Sequence, residues 1–499
     1  MFRMKSFVAA PALALLLSGT AHAALTSDQV WQSWKDAGAA LGLEVTAATE
    51  NSAGGVLSLN GVSIAPAGSP GITISDMTMT DQSDGTVLIA PGSDIGVAMS
   101  GMAEGSIKLT HDGLTLTARE AEGGMAYDYA AAKVDVVFDS KYEGTSFDGS
   151  APPMVASSGN IGMANLTGSY SDTTGTNRVF ALAVKADTMA YSTASEDPSM
   201  GMKQSSSSET KGVDMAFSFT LPTTILLTAI ASPADFATAL NEGLSLTLSS
   251  KQGESAGTMA MESPEMPMSL TIKAGSGEGS MTFNKDKLEA RSAVSSFEIE
   301  AAPGMMPMPV KVTSGPMEFG LLTPVVAAEA AADYAFLLKL SQFSINEESW
   351  AMVDPAGALK HDAADVAIDL SGRTTMDLVG LITAEETGAM PPVPAPENLD
   401  LTEVSAKVLG AALAATGAFT FDNSMGFPMP VGEATVDVTG ANALIQGLIA
   451  AGLLAEEDAM GAQMMMGMFM VPTGDDALTS KIEVKEGMEI LVNGQPLPM

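Results

Sequence analysis

The densest reactive chemistry in this sequence is sulfur without thiol. Met464, Met465, Met466, Met468 and Met470 crowd one segment, and Met305, Met306 and Met308 a second, in a chain of 35 methionines and no cysteine. Thioethers are soft ligands that select Cu(I), which makes Met464, Met465 and Met468 the candidate metal ligands. The ordinary alternative is core packing. Met464 and Met468 stand four apart, on one face of a helix, where an unbranched side chain fills gaps. A third use of methionine is a surface that adapts to varied apolar ligands. The missing cysteine excludes thiol catalysis and thiolate zinc sites.

Other reactive groups are sparse. The three histidines are His22, His111 and His361. His111 precedes Asp112-Gly113 and reads as a polar turn residue. His361 with Asp362 and Asp365 is of metal-ligand type, although one histidine and two carboxylates near a loop are common by chance. The sequence holds no nucleophile elbow, zincin helix, phosphate-binding loop, dinucleotide glycine fingerprint or EF-hand loop, so it implies no cofactor. A carboxylate-dependent hydrolase needs one acid pair set apart, and nothing distinguishes a pair among 59 acidic residues. Trp31 and Trp34 are the candidate ligand-binding residues, as an aromatic platform; the plainer reading is that they pin a helix onto a sheet.

Charge and export bound the partners. Lys and Arg total 23, and the formal net charge is −36, which repels phosphate backbones and anionic headgroups and excludes nucleic acid as a partner. At 46% hydrophobic the composition is that of a folded chain. The first 23 residues carry Arg3 and Lys5, an apolar run from Phe7 to Leu17 and the small-x-small site Ala21-His22-Ala23. That is the pattern of a signal peptide cleaved after Ala23, and it points to the periplasm. No later apolar run is long enough for a transmembrane helix. Few aromatics and a Pro498-Met499 end argue against an outer-membrane barrel.

Hydropathy periods place the elements. Thr26 or Ser27 caps a helix with Gln29 as partner, and Val30, Trp34, Ala37 and Leu41 keep its spacing up to Gly42. From Leu43 to about Thr220 the period is two, and turn clusters recur every ten residues or so. Asn60-Gly61 and Asp112-Gly113 read as hairpin turns. The segment 201–212, GMKQSSSSETKG, reads as an exposed loop. Ser232-Pro233 with Asp235 opens a helix, and strands resume after it. The Pro-rich 391–400, PPVPAPENLD, reads as a linker that cannot join a ladder. Two helices follow, ANALIQGLIAAGLL and AEEDAMGAQMMMGMFM, and a closing hairpin turns near Gly487. These signals divide the chain into 1–23, the export segment; 24–225, a helix plus antiparallel strands; 226–390, strands with short helices; and 391–499, the linker and an α+β unit.

The segments LTSDQVWQSW and ALGLEV near the start, with LTEVSAKVLGAALAATGAFTF, ANALIQGLIAAGLL and VNGQPL near the end, resemble an exported alphaproteobacterial family, the domain of unknown function numbered 2125. The resemblance spans nearly the whole chain after the export segment. It implies export and a β-rich fold, and it supplies no activity and no catalytic residue. Together these readings predict a β-dominated α+β protein, a long curved antiparallel sheet of many hairpins with a few packed helices. The expected role is a non-enzymatic periplasmic protein whose β groove binds a lipid, another apolar ligand or an envelope partner. The alternatives are a methionine-based copper-handling protein and, last, a carboxylate-dependent hydrolase.

Overall fold

The computed structural model describes residues 24–497 apart from 41, 67, 69–70, 100–102, 144–153, 199–200, 226–229, 231, 264–266, 304–307, 329 and 389. Residues 1–23, expected as an export segment, and the pair Met305 and Met306 lie outside the described residues. The rest is β-dominated with six helices, and its 28 strands form one antiparallel sheet.

The chain opens with α1 (Ser27–Ala40), then β1 (Leu43–Ala53), β2 (Val56–Pro66), β3 (Ile72–Asp81), β4 (Val87–Pro91), β5 (Ile95–Met99), β6 (Ala103–Asp112) and β7 (Thr115–Ala121). Four strands of 20 or 21 residues follow: β8 (Gly124–Glu143), β9 (Met154–Thr174), β10 (Asn177–Asp197) and β11 (Met202–Pro222). After α2 (Pro233–Asn241) come β12 (Ser245–Gln252), β13 (Ser255–Glu262), β14 (Met268–Ala274), β15 (Gly277–Phe283), β16 (Lys287–Val294), β17 (Phe297–Pro303), β18 (Val310–Ser314), β19 (Met317–Pro324) and β20 (Ala332–Ile345). The last part holds α3 (Glu347–Val353), β21 (Ala364–Thr375), α4 (Leu378–Thr387), β22 (Ala395–Val408), β23 (Ala411–Asp422), β24 (Met429–Thr439), α5 (Ala441–Ala450), α6 (Glu456–Phe469), β25 (Val471–Gly474), β26 (Ala477–Val484), β27 (Ile490–Val492) and β28 (Gln495–Pro496).

The short strands are halves of long ones. β11 pairs with β12 along one half and with β13 along the other, and the two files run on as β15, β16, β19 and as β14, β17, β18 before β20 rejoins them. On the other side β8 takes β7 and β6 in the same way, and β4 and β5 lead back to β3. The sheet therefore has an upper limb, a lower limb and a break between them at the same height in successive strands. Among the described residues β1 pairs only with β2 at one end, while β25 pairs only with β26 and β28 only with β27 at the other, so the sheet has two free edges.

That geometry corrects two hairpins expected from sequence. Asn60-Gly61 lies inside β2, with Gly61 at φ 60°, and β1 pairs on both sides of it. Gly113, at φ 67°, joins β6 to β7, which pair with different halves of β8 and not with each other. The left-handed conformation that these dipeptides favour bends a continuing strand here in place of reversing it.

Two further expectations fail for related reasons. Residues 202–212, expected as a loop, lie in β11, where Ser206 meets Thr193 at 2.7 Å and Ser207 meets Thr258 at 3.0 Å. Cross-strand hydroxyl pairs suit a wet sheet surface, so polarity alone did not mark a loop. The expected linker is a strand from Ala395 onward, and its ladder slips one position beside Pro396, where the missing N–H is tolerated.

Helix expectations stand better. Thr26 and Gln29 cap α1 reciprocally, and Ser232 and Asp235 form a capping box on α2. α1 lays Val30 and Trp31 on Leu57, Leu59, Met77, Met79, Val87 and Ile89, the largest buried cluster. α2 and α4 close a second core over Leu221, Phe219, Phe283 and Leu288 at the upper rim.

Candidate functional site

The register sorts side chains into two unlike faces. One row of directly opposed residues reads Tyr127, Tyr170, Leu182, Phe217, Leu248, Met281, Ala290, Leu321, Phe336, Leu370, Leu401, Gly417, Ala434 and Ile482, from β8 to β26. Every member is apolar or aromatic. A row of opposite parity reads Lys185, Asp214, Lys251, Glu278, Ala293, Glu318 and Lys339. Its charges largely alternate in sign and pair across strands, as in Lys185–Asp214 at 2.9 Å. Glu298 takes both Lys273 and Lys311 at 2.9 Å, and these ammonium groups hold its carboxyl below the ordinary range. Cross-strand ion pairs belong on a solvated face, so the ionic rows identify the outer surface.

The sheet is creased toward the apolar face. Along β8 the inward residues run to Ala131 and resume at Val134, and along β9 Leu166 is followed by Met163. Two outward residues intervene in each strand, and the added length on that side makes it convex. Asn165 at φ 49°, Gly212 at φ 57° and Gln342 at φ 54° occupy this line in β9, β11 and β20. Ala131, Val134 and Leu166 form a buried cluster with Tyr129 and Val184 from above the crease and Val136 and Met163 from below. The two limbs thus meet over an apolar floor with no helix between them, and the result is a trough.

Helices bound the trough without filling it. At the amino-terminal end Trp34 donates its indole N–H to the Tyr127 hydroxyl at 3.0 Å, and Tyr127 stacks on Tyr170 at 5.9 Å. Burial, with Asp172 adding to it, pushes the Tyr170 hydroxyl up to about 12. Asp172 and Arg178 pair at 2.6 Å on the upper rim, with the guanidinium 4.9 Å from the Phe180 ring. Beyond this end the walls stay open. Leu182, Phe217, Leu248, Phe319 and Leu338 each leave 36–40% of their surface in solvent.

Comparison with family models, with curated proteins and with solved structures gave no match for this chain.

The residues singled out from sequence fall as follows. Trp31 is buried under α1, with Lys35 5.0 Å above its ring, while half-buried Trp34 forms part of the closed end of the trough. Met464, Met465 and Met468 are not core filler. With Met460 they expose 59–68% of their surface on α6, which packs on α5 and is tied to the sheet at its end, where Ser480 and Asn493 donate to the Phe469 carbonyl. Met308 is also exposed. His111 braces the crease, with Nε2 3.1 Å from the Gly92 carbonyl and Nδ1 accepting from the Leu114 N–H.

His361 lies flat on Trp350 at 4.4 Å, with Glu347 3.0 Å from Nδ1 and Asp354 3.5 Å from Nε2. Asp354 accepts the Leu359 and Ala358 N–H groups, which hold its carboxyl low. Asp362 is exposed, and Asp365 accepts the Gln342 N–H at the crease, so these two do not join His361. Among the described residues no three His, Asp or Glu side chains are placed to hold a metal ion. The trough rows escaped sequence reading because pairing of distant strands is invisible along the chain; period-two alternation marked one face of each strand and not its neighbour.

Proposed function

We propose that this chain is an exported, non-enzymatic binding protein that shelters acyl chains in its trough. The observation that carries the reading is the uninterrupted apolar row, exposed between the helical caps while the rows of cross-strand ion pairs occupy the other face. A sheet face of this size left in water is unfavourable, and each acyl methylene that covers it contributes about 0.8 kcal/mol. A peptide is a poor occupant. The strands from β2 to β24 have neighbours on both sides, so the trough offers a peptide no free backbone partners, and its own amides would be buried unpaired. An acyl chain brings no such groups.

Export follows from the leader-like pattern and the family resemblance, and it is part of the proposal. The test is the native mass of protein recovered from the periplasm. The expected species begins at Ala24 and carries added mass in the lipid range that denaturation removes. A bare polypeptide mass under native conditions would sink the acyl-binding reading, and an intact leader would sink export.

A further inference from the structure

We infer that the closed end of the trough holds the carbonyl of a neutral acyl ester between the Arg178 guanidinium and the Tyr170 hydroxyl, and excludes free fatty acid. The inference rests on the acyl-binding reading above and names the class of acyl lipid. Register fixes the place. Leu182 opposes Tyr170 and Phe180 opposes Asp172, so Asp172 stands two residues above Tyr170 on the apolar face, and Arg178 two residues above Phe180. The guanidinium spans the two strands: Nε donates to Asp172 Oδ1 at 2.8 Å and Nη2 to Oδ2 at 2.6 Å, beside the Phe180 ring. With side-chain exposures of 16% and 15% this pair is much drier than Lys185–Asp214 on the outer face, at 62% and 46%. An ion pair on an apolar wall loses hydration that its attraction barely offsets, so it is unfavourable there unless it meets a polar group of the ligand.

Two donors at this corner are unused. The fork to Asp172 takes Nε and one Nη2 hydrogen, and among the described residues Nη1 meets no acceptor. The Tyr170 hydroxyl likewise has no hydrogen-bond partner among them, whereas its neighbour Tyr127 accepts the Trp34 indole. Both donors need an acceptor once an acyl chain displaces water. That acceptor is neutral because the local charge is already balanced. Asp172 neutralises Arg178, and Glu120 on β7 shares the same face across β8, opposite Met125, which in turn opposes Asp172. A carboxylate against Nη1 would lose its hydration beside Asp172 with no net positive charge to receive it. An ester carbonyl gives up far less water and accepts the same two hydrogen bonds. Its acyl chain then lies along Leu182, Phe217 and Leu248.

The experiment presents the full chain with monoolein and with oleate in the same uncharged detergent micelle and reads binding by native mass. At about pH 9 oleate is ionised, while the Tyr170 hydroxyl, pushed up to about 12, keeps its proton. Monoolein should bind about tenfold more tightly, equivalent to about 1.4 kcal/mol. Asp172→Asn leaves the Arg178 charge uncancelled and should reverse the order in favour of oleate, which the charge of the whole chain cannot do. Tyr170→Phe keeps the ring packing and should weaken monoolein about fivefold, and it decides where Asp172→Asn does not fold. Equal affinities, or a preference for oleate, on the unaltered chain overturn the ester assignment and leave the acyl-binding reading in place. So does an Asp172→Asn chain that keeps the original order, or a Tyr170→Phe chain that binds monoolein as tightly as before. A chain that takes up neither ligand overturns both.

Discussion

Tyr170 is a half-buried residue at the closed end of the trough. It stacks on Tyr127 beside Asp172, and burial raises its hydroxyl from 10.0 to about 12. A raised folded-state value means the folded protein holds this proton more tightly than the unfolded chain does. The contribution is therefore complete below pH 10 and is lost as pH climbs from 10 toward 12. Thermal unfolding followed across that window should show a falling midpoint. Tyr170→Phe, which has no proton to lose, should flatten the fall; an unchanged slope would show that Tyr170 is exposed. The acid side belongs to Asp354, whose carboxyl is held below 3.8 by two backbone N–H groups and by His361. A lowered value stabilises above 3.8 and the benefit is lost as pH falls through the folded value. Asp354→Asn should therefore shallow the acid limb of the same curve. Two glycines show how tightly the aromatic side chains cross neighbouring strands. Tyr334 lies over Gly372 and donates to the Asn398 carbonyl at 3.0 Å, while Tyr129 lies over Gly168. Removing the Tyr334 hydroxyl as Tyr334→Phe should cost about 0.5–1.5 kcal/mol in a denaturant titration.

Among the elements, α6 departs from ordinary amphipathic design. Met460, Met464 and Met468 recur at i, i+4 and i+8 and all face solvent, whereas Met77 and Met79 are sealed beneath α1. Sulfoxide formation follows access, so dilute peroxide should modify the α6 methionines first and spare Met77 and Met79. Peptide mass mapping reads this directly, and equal rates would return α6 to the core. The same helix shows where sequence reading stops. Its methionine spacing was visible, but a helix period says only that residues share a face, not whether anything covers it. α1 and α2 were legible in detail because a cap is local chemistry: Thr26 with Gln29, Ser232 with Asp235. Asn60-Gly61 and Asp112-Gly113 were read as turns because left-handed backbone serves a reversal and a bend equally, and only the partner strand decides between them. The Ser-rich start of β11 looked like a loop because its partners, Thr193 and Thr258, are far away in sequence.

At the scale of the whole molecule the crease matters more than any single contact, since a flat sheet with the same two faces would have an exposed apolar slab and no trough. The bend is distributed: Gly61, Asn165, Gly212 and Gln342 adopt positive φ in four different strands. Gly212 is the cleanest place to test it. A Cβ built there meets nothing nearer than the Gly253 nitrogen at 3.9 Å, so Gly212→Ala carries no steric penalty. What remains is the cost of left-handed backbone for a residue with a Cβ, about 1–2 kcal/mol. The unfolding free energy should fall by that amount, read as a lower denaturant midpoint with the slope unchanged, because the same surface is exposed on unfolding. Lipid load should persist, since β8, β9 and β10 keep the bend beside it. Gly212→Val asks more, because β-branching makes the left-handed region still less accessible, and it should fall further than Ala. If both substitutions leave the midpoint where it was, β11 does not bend at Gly212.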